Sequence, residues 1–288
     1  MRKDQKNVAD LALLACYAHP DDEQGVAGSL AWYQEQGVRT GLVCATRGEL
    51  GEIADPALAT PENLGQVREQ EMRGAAAVVN IQQLWFLDYR DSGMRGTEGN
   101  QDPRAFMNAD EREALGKLAR IIREFQPTVM VTFDESGGYG HPDHIRISQL
   151  TKKAFHVAAD ASQYPEAGPA WETKRLFYAS MPRNRIRQLA KVAAEAGMKS
   201  NFDGMDIEKL GLPDERITNR VNVEAYLARK RESLNHHRTQ LNPNSPFARM
   251  PEEVTREWRR QEYFALVAGV PVDTSDPTAA GDLFAGLR

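Results

Sequence analysis

The chain is short of cysteine, of uninterrupted apolar sequence and of net charge, and each shortage excludes something. Cys16 and Cys44 are the only two cysteines in 288 residues. Both sit inside apolar runs, like small core residues, and offer neither a disulfide framework nor the ligand spacing of a structural zinc site. No apolar stretch approaches the roughly 20 residues that cross a bilayer. The opening Met1-Arg-Lys-Asp-Gln-Lys-Asn7 is charged and leads into a short strand-like segment with no small-residue cleavage site, so it does not read as a signal peptide. A net charge of −5 with a pI near 5.8 leaves no broad basic face, which argues against nucleic acid or an anionic membrane as partner. Internal repeats and low-complexity blocks are also absent. The expectation is a soluble, cytoplasmic protein.

What is there alternates. Strand-like runs at Leu11–Ala18, Val38–Thr46, Gln83–Leu87 and Thr128–Phe133 are separated by helical patterns at Glu23–Gln36, Gln66–Val79 and Ala109–Phe125, the last striped by Leu115, Leu118, Ile122 and Phe125 and stopped by Pro127. Near-continuous apolar strands between helices predict an α/β, Rossmann-like fold, with a mostly parallel sheet covered by helices on both faces. Beyond residue 160 the pattern loosens into a less regular C-terminal part. Strands are expected at Arg175–Ser180, Ile217–Val223 and Glu262–Val267, and helices at Arg183–Ala196, Val223–His237 and Glu253–Arg260. A turn is expected at Asn242-Pro-Asn-Ser-Pro246, and a loose or disordered tail from Pro271. No linker is evident, so one domain is expected over 1–288, with a core of about 9–182 and a pocket-forming part of about 183–270.

Two short segments carry the chemistry. Ala18-His19-Pro20-Asp21-Asp22-Glu23 follows the first strand, and Gly140-His141-Pro142-Asp143-His144 follows the fourth. In an open parallel sheet, ligands bind beyond the carboxyl ends of the strands, so the two can converge. Burying such groups without a partner is costly, and a divalent metal would supply one. Two imidazoles and a carboxylate around an open position are the pattern of catalytic zinc, with His19, Asp22 and His144 as candidates. Asp21 and Asp22 are adjacent and must diverge, so if one ligates the other can act as a base. His141 and His144 similarly offer one ligand and one free imidazole. Taken alone, the first segment could be a helix cap with an acidic first turn; a second His/Asp cluster at an equivalent strand end is what that reading leaves unexplained. A nucleotide-binding protein is disfavoured, because the first turn lacks a glycine cradle and its carboxylates would repel phosphate.

With these segments in hand, the chain resembles the zinc-dependent N-acetylglucosaminyl deacetylases (PIG-L or LmbE-like), a family that includes mycothiol and bacillithiol biosynthetic deacetylases and mycothiol S-conjugate amidases. Thr46-Arg-Gly-Glu49, Arg68-x-x-Glu71-Met72 and Leu87-Asp-Tyr-Arg-Asp-Ser-Gly-Met94 add to the match, which covers about residues 11–160. His236-His237-Arg-Thr-Gln240 is a weaker match further on. The resemblance implies zinc, or another divalent metal such as Fe²⁺, on His19, Asp22 and His144, and Asp21 as general base. It implies that His141 faces the reacting carbonyl, that Asp143 orients it, and that Tyr139 helps polarise the substrate oxygen. Arg68 and Asp91 would hold sugar hydroxyls. The implied activity is removal of acetyl from an N-acetylglucosamine conjugate such as its malate or inositol glycoside. The alternative is an amidase that cleaves thiol S-conjugates at the equivalent amide. The partner is then a small amino-sugar conjugate, and a homo-oligomer is compatible with this reading.

Weaker signals surround these. Glu23 reads equally as a first-turn helix carboxylate or a functional group. Glu49, Arg47 and Arg90 sit in loops near the crevice. Ser92-Gly93 lacks the Gly-x-Ser-x-Gly elbow of a serine nucleophile. His236 and His237 suit a helix end, from which one could reach the pocket. The basic stretch Lys174–Lys199 reads as a solvated helix face.

Overall fold

The structure is a computed structural model that describes residues 8–195, 206–242, 252–273 and 275–288. Seven strands form one sheet: β1 (Ala12–Tyr17), β2 (Arg39–Cys44), β3 (Gln83–Phe86), β4 (Val129–Phe133), β5 (Arg175–Ala179), β6 (Asn219–Asn222) and β7 (Gln261–Gly269), in the spatial order β3-β2-β1-β4-β5-β7-β6. Strands β1 to β5 are mutually parallel. β7 runs antiparallel to both neighbours, so the C-terminal half extends the sheet with a reversed strand. The helices are α1 (Ala27–Glu35), α2 (Leu64–Val78), α3 (Glu111–Phe125), α4 (Gly137–Gly140), α5 (Pro142–Val157), α6 (Arg183–Glu195), α7 (Leu227–His236), α8 (Glu252–Arg259) and α9 (Pro277–Ala280). Among the described residues, no helix is long and apolar enough to cross a membrane.

The apolar runs alternate sides as a pleated strand requires. Leu14, Cys16, Met130 and Leu176 pack with Leu118, Ile122, Ile147 and Leu150 of α3 and α5 on one face. Leu13, Ala15, Tyr17, Val131 and Phe177 pack with Leu30, Tyr33 and Met72 of α1 and α2 on the other. Both cysteines are buried and unpaired. β1 and β4 are direct neighbours, with Leu13 opposite Val129, although three helices and two strands separate them in sequence. The chain winds outward in opposite directions from this pair. That makes it the switch point, and the crevice beyond its carboxyl ends is where an α/β sheet binds ligands.

Several boundaries differ from expectation for local reasons. The single helix expected over Glu23–Gln36 is interrupted: Asp22–Gly25 form a 3₁₀ turn, Val26 leaves helical geometry, and α1 begins at Ala27. The break leaves the Glu23 side chain turned inward, and the Glu262 carboxylate of β7 accepts from Gly28 and Ser29 N–H at the start of α1. α3 begins at Glu111, where Asp110 caps it by accepting from Glu113 N–H. The tail from Pro271 is not loose. Arg175 donates to the carbonyls of Val270, Pro271 and Leu283, Tyr33 Oη bridges Asp282 and Leu283 N–H, and Leu283 and Phe284 are fully buried. Of the expected turn, residues 243–246 lie outside the described residues, as does Ala196 at the end of α6.

Candidate active site

β1 ends at Tyr17, and the chain turns through His19 and Pro20 into the 3₁₀ turn. The turn folds back on itself because the Asp22 carboxylate accepts from the Ala18 and His19 N–H groups. Asp21 takes a left-handed conformation, φ 102°, unusual for a residue with a side chain. Adjacent side chains on a regular turn would crowd together; here the two carboxylates diverge, as the sequence requires. On the other side of the switch point, His141 to His144 do start a helix. His141 caps α5 by accepting from Asp143 N–H through Nδ1, Pro142 occupies the first turn, and His144 follows within it. Imidazoles and an Asp therefore serve as helix-starting residues and site residues together.

Three donor groups converge. His19 Nδ1 lies 3.1 Å from His144 Nε2, His144 Nε2 lies 3.2 Å from Asp22 Oδ1, and His19 Nδ1 lies 3.5 Å from Asp22 Oδ2. The outer nitrogen of each ring faces an acceptor: His144 Nδ1 meets Gly137 O at 3.1 Å and His19 Nε2 meets Asp143 Oδ2 at 3.2 Å. Those partners place the protons on the outer nitrogens and leave lone pairs facing inward. With both rings neutral, two imidazole lone pairs and a carboxylate point at one another with no proton to share, an arrangement that either a cation or an added proton relieves. That donor set is compatible with a divalent cation. The local charge agrees: burial alone would favour a neutral His19, yet Asp143, Asp22 and Asp91 outweigh it and push the ring well above its ordinary value. The site is short of positive charge.

His141 lies close enough that its donor atoms also fall within 4.8 Å of those of His19 and His144. Its Nδ1 already accepts from Asp143 N–H, however, so the proton sits on Nε2, which is 4.0 Å from Asp91 Oδ1. Burial, with the neighbouring His19 and His144, pushes His141 down to about 4. It is thus a neutral N–H donor rather than an imidazolium. Asp143 departs from its expected partner. Its carboxylate accepts from Ser92 N–H and Ser92 Oγ and faces His19, whereas its link to His141 runs through the backbone N–H.

Asp21 keeps 34 % of its side-chain surface open to the cleft, and burial, opposed by the charge of Arg68, pushes its carboxyl up to about 6. Arg68 is almost fully enclosed. It donates to Asp21 Oδ1 at 3.2 Å, to Gly48 O at 2.9 Å and to Pro20 O, so its contacts are with the loop that carries Asp21 and with the Gly48 turn. Gly48 is required there: with φ +64°, a Cβ at this position would run into the guanidinium. Asp91 accepts from Leu50 and Gly93 N–H and lies 3.5 Å from His19 Nε2. Tyr139 sits half-exposed on the glycine turn, its ring edge-on to His144 at 5.0 Å. It lines a cavity of about 490 Å³ together with Asp22 and residues of the C-terminal half.

The sequence left four contributors unassigned. Glu23 and His237 form a fully buried pair at 2.8 Å, and Glu23 Oε2 also accepts from Asp21 N–H. Ser92 holds Asp143 rather than acting as a nucleophile. Glu71 accepts from Thr239 N–H and Oγ, tying the weakly matching His236–Gln240 segment to α2. The available signal was that same segment, whose placement needs the fold.

The comparisons with known proteins agree with this geometry. The family model described as GlcNAc-PI de-N-acetylase (PIG-L) matches residues 14–155. A protein of Geodermatophilus obscurus named 1D-myo-inositol 2-acetamido-2-deoxy-α-D-glucopyranoside deacetylase is 38% identical, over 96% of this chain and 97% of its own. A Catenulispora acidiphila protein of the same name, numbered 1, is 36% identical over 96% of this chain and 89% of its own. The structure of N,N′-diacetylchitobiose deacetylase from Pyrococcus horikoshii shares the fold with a TM-score of 0.59 at 18% identity, covering 89% of this chain and 83% of that one. A mixed α/β sheet with two His/Asp segments at its switch point, and relatives alike along nearly the whole length, place this chain in the PIG-L deacetylase family.

Proposed function

We propose that this chain removes the acetyl group from the 2-acetamido sugar of a small glycoside, with zinc held by His19, Asp22 and His144. The observation that carries the reading is the meeting of three inward-facing donors beside a carboxylate, Asp21, that takes no part in them. Two imidazoles and one carboxylate suit zinc, with Fe²⁺ the other candidate. A divalent cation there supplies Lewis-acid polarisation of an amide carbonyl and acidifies water.

The chain's own residues divide the rest. Asp21, near 6, is ionised at neutral pH yet basic enough to take a proton from the attacking water. It then returns that proton to the departing amine, which leaves poorly unless protonated. Arg68 and the Glu23 carboxylate hold the Asp21 segment from two sides. His141 presents its Nε2 proton to the carbonyl oxygen as negative charge builds there, and Tyr139 stands beside it at the mouth. Asp143 fixes His19 and the helix start that carries His141. Arg68 and Asp91 are the residues proposed to meet sugar hydroxyls. The names of the relatives support an inositol glycoside as substrate; the malate glycoside is the second candidate. Two buried thiols left unpaired suit the reducing cytoplasm.

The test combines metal analysis with amine-release assays on N-acetylglucosaminyl inositol, N-acetylglucosaminyl malate and a thiol S-conjugate of the mycothiol type. One equivalent of zinc and release of glucosamine conjugate from either glycoside are expected. Turnover of the S-conjugate alone would make the chain an amidase. Absence of stoichiometric metal would overturn the ligand set.

A further inference from the structure

Glu23 and His237 stand behind the proposed base rather than in the cleft. Both side chains are fully enclosed, so neither meets a substrate. The imidazole makes one hydrogen bond, from Nε2 to Glu23 Oε1 at 2.8 Å, and its Nδ1 has no partner. A carboxylate only accepts, which places the ring proton on Nε2. Glu23 Oε1 also accepts from Gln24 Nε2 at 2.7 Å, and Oε2 accepts from Asp21 N–H at 3.0 Å. The carboxylate thus gathers three N–H groups, one of them the backbone donor of Asp21.

The end of α7 that supplies His237 is itself anchored. Ser233 Oγ accepts from Gln24 Nε2 at 2.9 Å and donates to Ala75 O of α2 at 3.2 Å. Thr239, just past the helix, donates to Glu71 of α2 through its N–H and Oγ. Helix α2 also carries Arg68, which donates to Asp21 Oδ1. The carboxylate of Asp21 is therefore held from α2 and its N–H, through Glu23, from α7. Asp21 needs holding, because a side-chain residue at φ 102° persists only where its surroundings over-determine it. Asp22 is fixed separately, by the Ala18 and His19 N–H groups. Loss of the Glu23 contact should accordingly move the base and leave the ligand.

We infer that His237 is a positioning residue for the base: by holding Glu23 against Asp21 N–H, it keeps the Asp21 carboxylate on its line of attack. It does so from a part of the chain that the PIG-L family model does not reach, and it acts on the chemical step rather than on binding. This rests on the deacetylase reading, which makes Asp21 the base, and adds to it that the C-terminal half supplies rate as well as a pocket wall.

The test uses the full chain loaded with zinc. Amine release from N-acetylglucosaminyl inositol and N-acetylglucosaminyl malate, bound metal, and hydrogen exchange at the Asp21 amide, read by NMR, are measured for the parent and three variants. In the parent that amide should be protected. In His237→Leu it should exchange about tenfold faster or more, and kcat should fall about 10–100-fold, as misplacing a reacting group does, with KM and metal near the parent values. His237→Gln, which keeps an N–H donor, should restore most of both. Glu23→Gln leaves no buried charge to unsettle the fold but has one acceptor oxygen for three N–H groups, so it should repeat the loss. An unprotected Asp21 amide in the parent, parent-like kcat in Glu23→Gln, or metal lost in step with kcat would overturn the positioning role. No amine released by the parent, with Asp21 protection that depends on His237, would overturn the deacetylase and leave the hold on Asp21 standing.

Discussion

His237 Nε2 lies 2.8 Å from the Glu23 carboxylate, with both side chains fully enclosed and the two residues 214 positions apart in sequence. Glu23 also accepts from the backbone N–H of Asp21 and from Gln24 Nε2, which in turn donates to Ser233 of α7. The loop that carries the proposed base is thus braced by the C-terminal half of the chain, against the strain of Asp21 at φ 102°.

The pair gives stability a definite pH dependence. Burial pushes His237 down, but the Glu23 charge outweighs it, and the net value lies above the ordinary 6.5. A group whose folded value is raised contributes its full stability below the unfolded value and loses it as pH rises through the folded one. His237→Asn should therefore cost about 3 kcal/mol near pH 6, where it leaves a buried charge unpaired. The gap from the parent protein should shrink as pH rises toward 9. Urea denaturation of both proteins across that range measures it; a gap that is constant or widens with pH would show that the pair is not ionic.

Asp21→Asn separates the proposed base from the proposed ligands. The amide keeps the size of the side chain and can still meet Arg68, but it cannot take a proton. Turnover should fall by about 10²–10⁴-fold while bound metal stays at the parent stoichiometry. Full activity would remove Asp21 from the proton-transfer role, and loss of metal would move it among the ligands.

How much of this was legible follows the range of the interactions. The parallel sheet, its switch point and the two His/Asp segments come from local signals: apolar strand runs and polar residues stacked at their ends. The divergence of Asp21 from Asp22 was legible too, because neighbouring side chains cannot share one direction. The partner of Asp143 was not. Two positions of spacing tie it to the His141 turn, but its carboxylate is claimed by Ser92 and His19 across the sheet. His237 reads as an ordinary helix-end imidazole until α7 is packed against α2. The tail from Pro271 has the composition of a loose end, yet Arg175 and Tyr33, far upstream, fix it in place. Contacts between distant segments are what pattern and propensity do not carry.

The chain Ser92–Asp143–His19 predicts a metal phenotype at a residue that touches no metal donor. Ser92 Oγ donates to Asp143 Oδ1 and accepts from Met107 N–H, and Asp143 Oδ2 takes the outer proton of His19. Ser92→Ala removes the hydroxyl but keeps the backbone donor. Such supporting bonds typically affect metal affinity by about 10–100-fold. Competition with a chelator of known affinity should show zinc binding weakened within that range and folding little changed; affinity equal to the parent would mean that Asp143 needs no hydroxyl to orient His19.

Arg68 distinguishes two roles by which kinetic constant moves. Its guanidinium reaches three acceptors at once, Asp21 Oδ1, Gly48 O and Pro20 O, and only a fork can do so. Arg68→Lys keeps the charge but can satisfy fewer of them, so Asp21 should lose its fixed orientation. If holding the base is the main task, kcat falls by about 10–100-fold with KM and bound metal near the parent values, since misplacing a reacting group slows the step itself. If the guanidinium works chiefly through a sugar hydroxyl in the ground state, KM rises and kcat holds. The geometry favours the first outcome, because every hydrogen bond that Arg68 makes here goes to the Asp21 loop or to the Gly48 turn beneath it.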